Sequence, residues 1–249
     1  MTELKDLVPE VEGLVPDADD PAAVDLAQLF GEFAVELHDA EGVETTVTAV
    51  LEFAVTTFKC TDAGIALIGR GNQLRIGEVT APAIGELYQA QLDAGKGPLI
   101  DAATGSDAVL VDDLGMDSRW PEWAERAAGL GIGTVLHLPM LTEARKVGVL
   151  SFYHSEPGAF SRYDEALAEV LARHATVAVA YARNEATLIE ALESRAVVGQ
   201  AIGILMERHN LTERAAFSVL RRYSQDYNVK LRTVADQLLE SRSLPTPGA

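Results

Sequence analysis

The chain has 249 residues, room for one large domain or for a medium domain with a small one. A hydrophobic content of 48% supports a packed core, and no apolar run reaches the roughly 18 residues of a membrane helix. A net charge of −18 argues against nucleic acid as a partner of the whole molecule, and the single Cys60 excludes an internal disulfide or a multi-cysteine metal site. The first twenty residues are acidic, contain Pro9 and Pro16, and lack the basic and apolar regions of a signal peptide. Residues 1–21 therefore read as a disordered tail of a cytoplasmic protein.

Apolar residues recur at helical spacing from Ala22 to His38 and again from Val43 to Thr57. Strand signals follow at Gly64–Ile68 and Leu74–Val79, separated by the turn residues Gly69 to Asn72. Ala83–Leu92 reads as a helix ended by Gly95, and a loop with Gly97, Pro98, Gly105 and Asp107 leads to a short strand at Ala108–Val111. Pro121 opens a short helix to Leu130, and Thr134–Met140 pairs with Lys146–Tyr153 across a hairpin-sized connection. From Tyr163 to about Arg208 there is no proline, and the pattern is one long amphipathic helix or two in tandem. Tyr181 and Leu188 lie seven apart in a degraded heptad, and the length of the apolar stripe points to a homodimer with a coiled coil.

The last part reads as three helices: Glu193 to Arg208, a second capped by Thr212, and Leu231 to Ser241, with a disordered tail over 243–249. Their predicted core faces are Val198, Ala201 and Leu205; Ala216, Phe217 and Leu220; and Leu231, Val234, Ala235 and Leu238. Charge is uneven. From Glu193 to Arg242 eight Lys or Arg stand against six acids, about +2, which leaves about −20 for the remainder. An acidic body repels phosphate and leaves the small basic module as the part able to approach it.

Arg195, Val198, Gln200-Ala201, Gly203, Leu205-Met206, Ala216-Phe217, Leu220-Arg221 and Val234-Ala235 together closely resemble the ANTAR family. The resemblance implies a bacterial antitermination regulator that binds RNA carrying two small stem-loops. Two positions depart from the family pattern: Ile202 where many members have Lys, which weakens the expected phosphate contact, and Ser224 where many have Ala. Glycine inside a helix costs about 1 kcal/mol relative to alanine, so Gly203 implies either close approach of a partner backbone or packing against the second helix. Gln200, one turn earlier, carries an amide suited to reading a base edge, and Arg195, Arg208, Arg221, Arg222 and Arg232 are candidates for phosphate contact or stacking on loop bases. The expected RNA-binding set is these five arginines with Gln200 and Gly203.

Residues 22–182 resemble a GAF domain, carried by Val111-Asp112-Asp113-Leu114, Leu138-Pro139-Met140, Gly148-Val149-Leu150 and Phe160-Ser161. The implied fold class is α+β: an antiparallel sheet with flanking helices, a linking and dimerisation helix over 162–195, and a C-terminal three-helix bundle over 193–242. GAF domains bind varied small molecules or none. Trp120 and Trp123 lie on the segment that roofs the pocket in such domains, where they either form an aromatic lid suited to a flat or apolar ligand or pack as core. His137 is a further candidate that either faces the ligand or serves as a hydrogen-bonded structural histidine, and Cys60 reads as a buried small side chain. The five histidines lack metal-ligand spacing, and no catalytic set or cofactor motif is visible. The expected function is a signal-responsive RNA-binding antitermination regulator, not an enzyme, with no cofactor, metal or membrane partner. The alternative is a small-molecule-binding adaptor that acts through protein partners.

Overall fold

The computed structural model describes residues 21–242; the 243–249 tail and all but the last residue of the 1–21 tail lie outside the described residues. The chain divides into two compact units, Met1–Ala182 and Arg183–Ala249.

The first unit opens with α1 (Pro21–Asp39) and α2 (Gly42–Phe58), followed by β1 (Asp62–Ile68) and β2 (Leu74–Val79). Then come α3 (Pro82–Ala94), α4 (Pro98–Thr104), β3 (Val109–Val111), α5 (Pro121–Gly129), β4 (Thr134–Leu141) and β5 (Lys146–His154). The strands form one antiparallel sheet in the order β2-β1-β5-β4-β3. Because side chains alternate along a strand, the sheet builds a core on each face. Ile65, Leu136, Leu138, Leu150 and Phe152 pack on one side with Phe33, Val50 and Leu51 of α1 and α2. Ala66, Val135, Val149 and Tyr153 pack on the other with Leu87, Tyr88, Leu99 and Trp123 of α3, α4 and α5. Cys60 is buried as expected; its S–H points to the Ala54 carbonyl at 3.8 Å, and burial pushes its pKa up to about 12, so it stays a thiol.

The segment 97–107, expected to be a loop, contains α4. Pro98 supplies a preset φ at the first helical position, and Leu99, Ala102 and Ala103 give the short helix a buried face. Its C-terminal carbonyls, those of Ala103, Thr104 and Gly105, all accept from Lys146 Nζ on β5, a partner invisible to local sequence. At the other end the Leu99 amide donates to Gln91 Oε1 at 2.8 Å, and Gly97 (φ 139°) makes the approach possible because any Cβ there would overlap Gln91. Gly97→Ala should therefore cost about 1–3 kcal/mol in urea unfolding, from a backbone conformation nearly restricted to glycine. A variant as stable as the parent would refute the dependence.

The long helical pattern is one helix, α6 (Arg162–His209), and not two. Ala168, Leu171, Ala172, Ala175 and Val179 bury one stripe of it in the first unit. In the second unit its last turns join α7 (Glu213–Asp226) and α8 (Leu231–Ser241). Thr212 caps α7 by accepting from the Ala215 amide. The shared core is Ala201, Leu205, Ala216, Leu220, Val234, Ala235 and Leu238. Phe217, predicted among these, is 39% exposed instead: Ala216 and Leu220 point inward at a spacing of four, which turns their neighbour Phe217 outward.

Candidate functional site

The face of the sheet covered by α3, α4 and α5 holds a buried polar relay. Positions 149, 151 and 153 of β5 share a face, which sets Ser151 among apolar neighbours opposite His137 of β4. Tyr88 Oη, arriving from α3, donates to Ser151 Oγ at 2.7 Å, and Ser151 Oγ lies 2.6 Å from His137 Nδ1. The Ser151 hydroxyl, which accepts from Tyr88, either donates to Nδ1 or accepts from it, according to which ring nitrogen of the neutral histidine carries the hydrogen. Burial lowers the His137 pKa to about 3 and raises that of Tyr88, so both remain uncharged. Among the described residues His137 Nε2, the Tyr153 hydroxyl and Trp123 Nε1 are buried with no hydrogen-bond partner.

Trp120 and Trp123 come together along a cleft of about 300 Å³ beside α3 and α5, which Gln91, Lys96, Arg119, Glu122 and Arg126 also line. Trp120 is half-buried at the start of α5 and carries the Arg119 guanidinium 4.4 Å from its ring centroid. Arg119 is held in place by Asp117 and by the Leu110 carbonyl, and its side-chain hydrogen bond lowers the Asp117 pKa. His137 does not line this cleft; it sits in the relay. Sequence reasoning missed Tyr88, Ser151 and Tyr153. The usable signal was polar and aromatic residues recurring every second position of β5. Arg126 was legible only as the residue one turn after Trp123.

In the second unit the inward arc of α6 carries Ala201 and Leu205. Arg195, Gly199, Gln200, Gly203 and Met206 lie on the exposed side. A Cβ built on Gly203 meets nothing within 4 Å, so packing against the second helix does not account for this glycine. Arg208, seven residues after Ala201 and so off that exposed side, donates to the Arg242 carbonyl. Arg232 pairs with Glu193 at 3.3 Å and with Asp236 at 3.9 Å, and Arg222 pairs with Asp226 at 3.6 Å. Arg195 and Arg221 are exposed and make no ion pair among the described residues. Of the seven expected RNA contacts, the structure thus groups Arg195, Gln200 and Gly203 on one helix face and leaves Arg221 and Arg222 on the exposed side of α7. Among the described residues no cluster of His, Cys, Asp or Glu is arranged to hold a metal ion, and no helix is long and apolar enough to cross a membrane.

The first unit is a five-stranded antiparallel sheet with helices on both faces, and the continuous helix α6 runs from it into a small three-helix unit. A GAF domain family model matches residues 40–180, and an ANTAR domain family model matches residues 186–239. The transcriptional regulatory protein PdtaR of Mycobacterium tuberculosis (strain H37Rv) is 30% identical over 145 residues, covering 56% of this chain and 70% of PdtaR. Among solved structures, the GAF domain of a phosphoenolpyruvate-protein phosphotransferase from Coxiella burnetii is similar with a TM-score of 0.53 and 16% identity, over 66% of this chain and 98% of that one. The free methionine-R-sulfoxide reductase of Neisseria meningitidis is similar with a TM-score of 0.52 and 16% identity, over 68% of this chain and 96% of that one. At such identities the structural likenesses speak to fold alone. The chain belongs to the GAF domain family and carries a C-terminal ANTAR domain, and it is a regulator of transcription antitermination.

Proposed function

We propose that the ANTAR unit binds RNA with paired stem-loops and that the GAF unit sets its availability in response to a small molecule. The observation that carries the reading is the exposed face of α6 in the second unit, where Arg195 and Gln200 flank a glycine with open space above it. A helix gains nothing internally from glycine at such a point, whereas a nucleic-acid backbone gains close approach. The arginines supply the phosphate contacts and the Gln200 amide the base-edge contact.

A homodimer completes the proposal. In the GAF unit α6 exposes Tyr163, Val170 and Val177, spaced by seven, with Tyr181; in the ANTAR unit it exposes Leu188, Ile189 and Leu192. Tyr181 and Leu188 continue a seven-residue row, the spacing a second helix covers in a coiled coil. Two tethered ANTAR units then engage two stem-loops by effective concentration. The protein acts in the cytoplasm as a regulator without a catalytic centre of its own.

The test is a gel-shift series at fixed salt with two-hairpin RNA, single-hairpin RNA and duplex DNA. The full chain should prefer the two-hairpin RNA, and Arg221→Ala combined with Arg222→Ala should weaken that binding about tenfold or more and lower the salt slope by about one to two. Helicity should be unchanged, since both side chains are exposed. Equal affinity for the three nucleic acids would remove RNA as the specific partner and favour an adaptor acting through proteins.

A further inference from the structure

The cleft beside α3 and α5 has a chemistry that narrows what it takes. Residues 1–182 carry eleven Lys or Arg against thirty Asp or Glu, yet three of those eleven cations, Lys96, Arg119 and Arg126, line this one cleft against the single acid Glu122. Lys96 is paired with Glu122 at 3.1 Å, and Arg119 is neutralised by Asp117. Arg126 makes no ion pair among the described residues, so one positive charge is left over. In the same lining Trp123 is 7% exposed, and its indole N–H is buried with no acceptor.

Building on the sensor reading above, we propose that this cleft binds a flat aromatic ring bearing one anionic group, a carboxylate or a phosphate. The ring lies against the half-buried Trp120 indole, with Trp123 packed in the wall behind it, and the anion takes the exposed Arg126 guanidinium in a two-pronged contact. A cleft of about 300 Å³ fits a ligand of one or two rings. The acidic surroundings disfavour polyanions, which leaves one anionic group as the best match for a single unspent cation.

The molecule carries its own reporter, because its only two tryptophans both line the cleft. Titrating the full chain with benzoate and with uridine monophosphate, each beside its uncharged counterpart (benzamide, uridine) and beside inorganic phosphate, separates the two anion sources and both parts of the ligand. A saturable change in tryptophan fluorescence is expected with at least one ring-bearing anion, with affinity at least tenfold above its neutral counterpart and above phosphate. Arg126→Gln, an exposed site where folding is not at stake, should abolish that tenfold preference while leaving the circular dichroism spectrum unchanged. No saturable change with either anion, or a preference that survives Arg126→Gln, overturns the inference. Measuring RNA affinity with and without the bound anion keeps the two readings apart: binding that leaves RNA affinity unmoved supports this site and removes the sensor reading. Failure of every probe in the cleft, with another small molecule found bound by native mass spectrometry, does the reverse.

Discussion

Leu220→Ala should unfold the C-terminal helices under conditions in which the parent keeps them. Leu220 is fully buried at the centre of α7, and three of the seven buried members of this core are alanines, so little apolar volume stands behind it. Truncating a buried leucine costs about 2–5 kcal/mol, and a core of this size supplies about 3–5 kcal/mol in all. Hydrogen exchange should therefore show the amides of α7 and α8 losing protection together, and RNA binding should vanish with them. Leu220→Met keeps the volume and should cost less than about 1.5 kcal/mol. An alanine variant with native protection in both helices would show that this core is not what holds the unit.

The second large effect concerns acid. His137 ordinarily titrates near 6.5, and burial holds its folded-state pKa near 3, so between these values the unfolded chain binds a proton that the folded chain refuses. The stability tied to the neutral ring is complete above pH 6.5 and is lost as pH falls toward 3, at about 1.4 kcal/mol per pH unit. Urea unfolding at pH 7.5 and at pH 4.5 should thus show a loss in the parent that exceeds the loss in His137→Gln by about 2–3 kcal/mol. The comparison of slopes removes the carboxylates, which titrate alike in both proteins. Equal losses would mean that His137 is protonated in the folded state and that the relay to Ser151 is open to water.

The same relay shows where local reading stops. That His137 sits on a strand follows from its neighbours Leu136 and Leu138, but its partner Ser151 is fourteen residues away and Tyr88, which completes the chain, is sixty-three residues from Ser151. Only the antiparallel register of β4 and β5, together with the packing of α3 over that face, brings the three side chains together. Phe217 makes the complementary point. A large apolar residue beside a core alanine reads as core, yet with Ala216 and Leu220 already inward the helix has no room for it on the same side. Trp120 and Trp123 were legible as a pair, but the cleft they line is completed by Arg126 and by Ala90, Gln91 and Ala94 of α3.

Sequence alone determined the kinds and order of the elements other than α4, the caps at Thr212 and Gly95, the two families present and the basic bias of the last fifty residues. Each of these depends on residues within a turn or two of one another, or on a motif whose spacing is itself the signal. Tertiary structure alone decided that 98–104 is a helix, because Lys146 closes its end. It also decided that Gly203 faces open space, that Arg232, Arg222 and Arg208 are engaged, and that Arg195, Arg221 and Arg126 make no ion pair among the described residues. Those outcomes rest on contacts between side chains far apart along the chain, and their geometry comes from sheet register and helix packing, which no local pattern encodes.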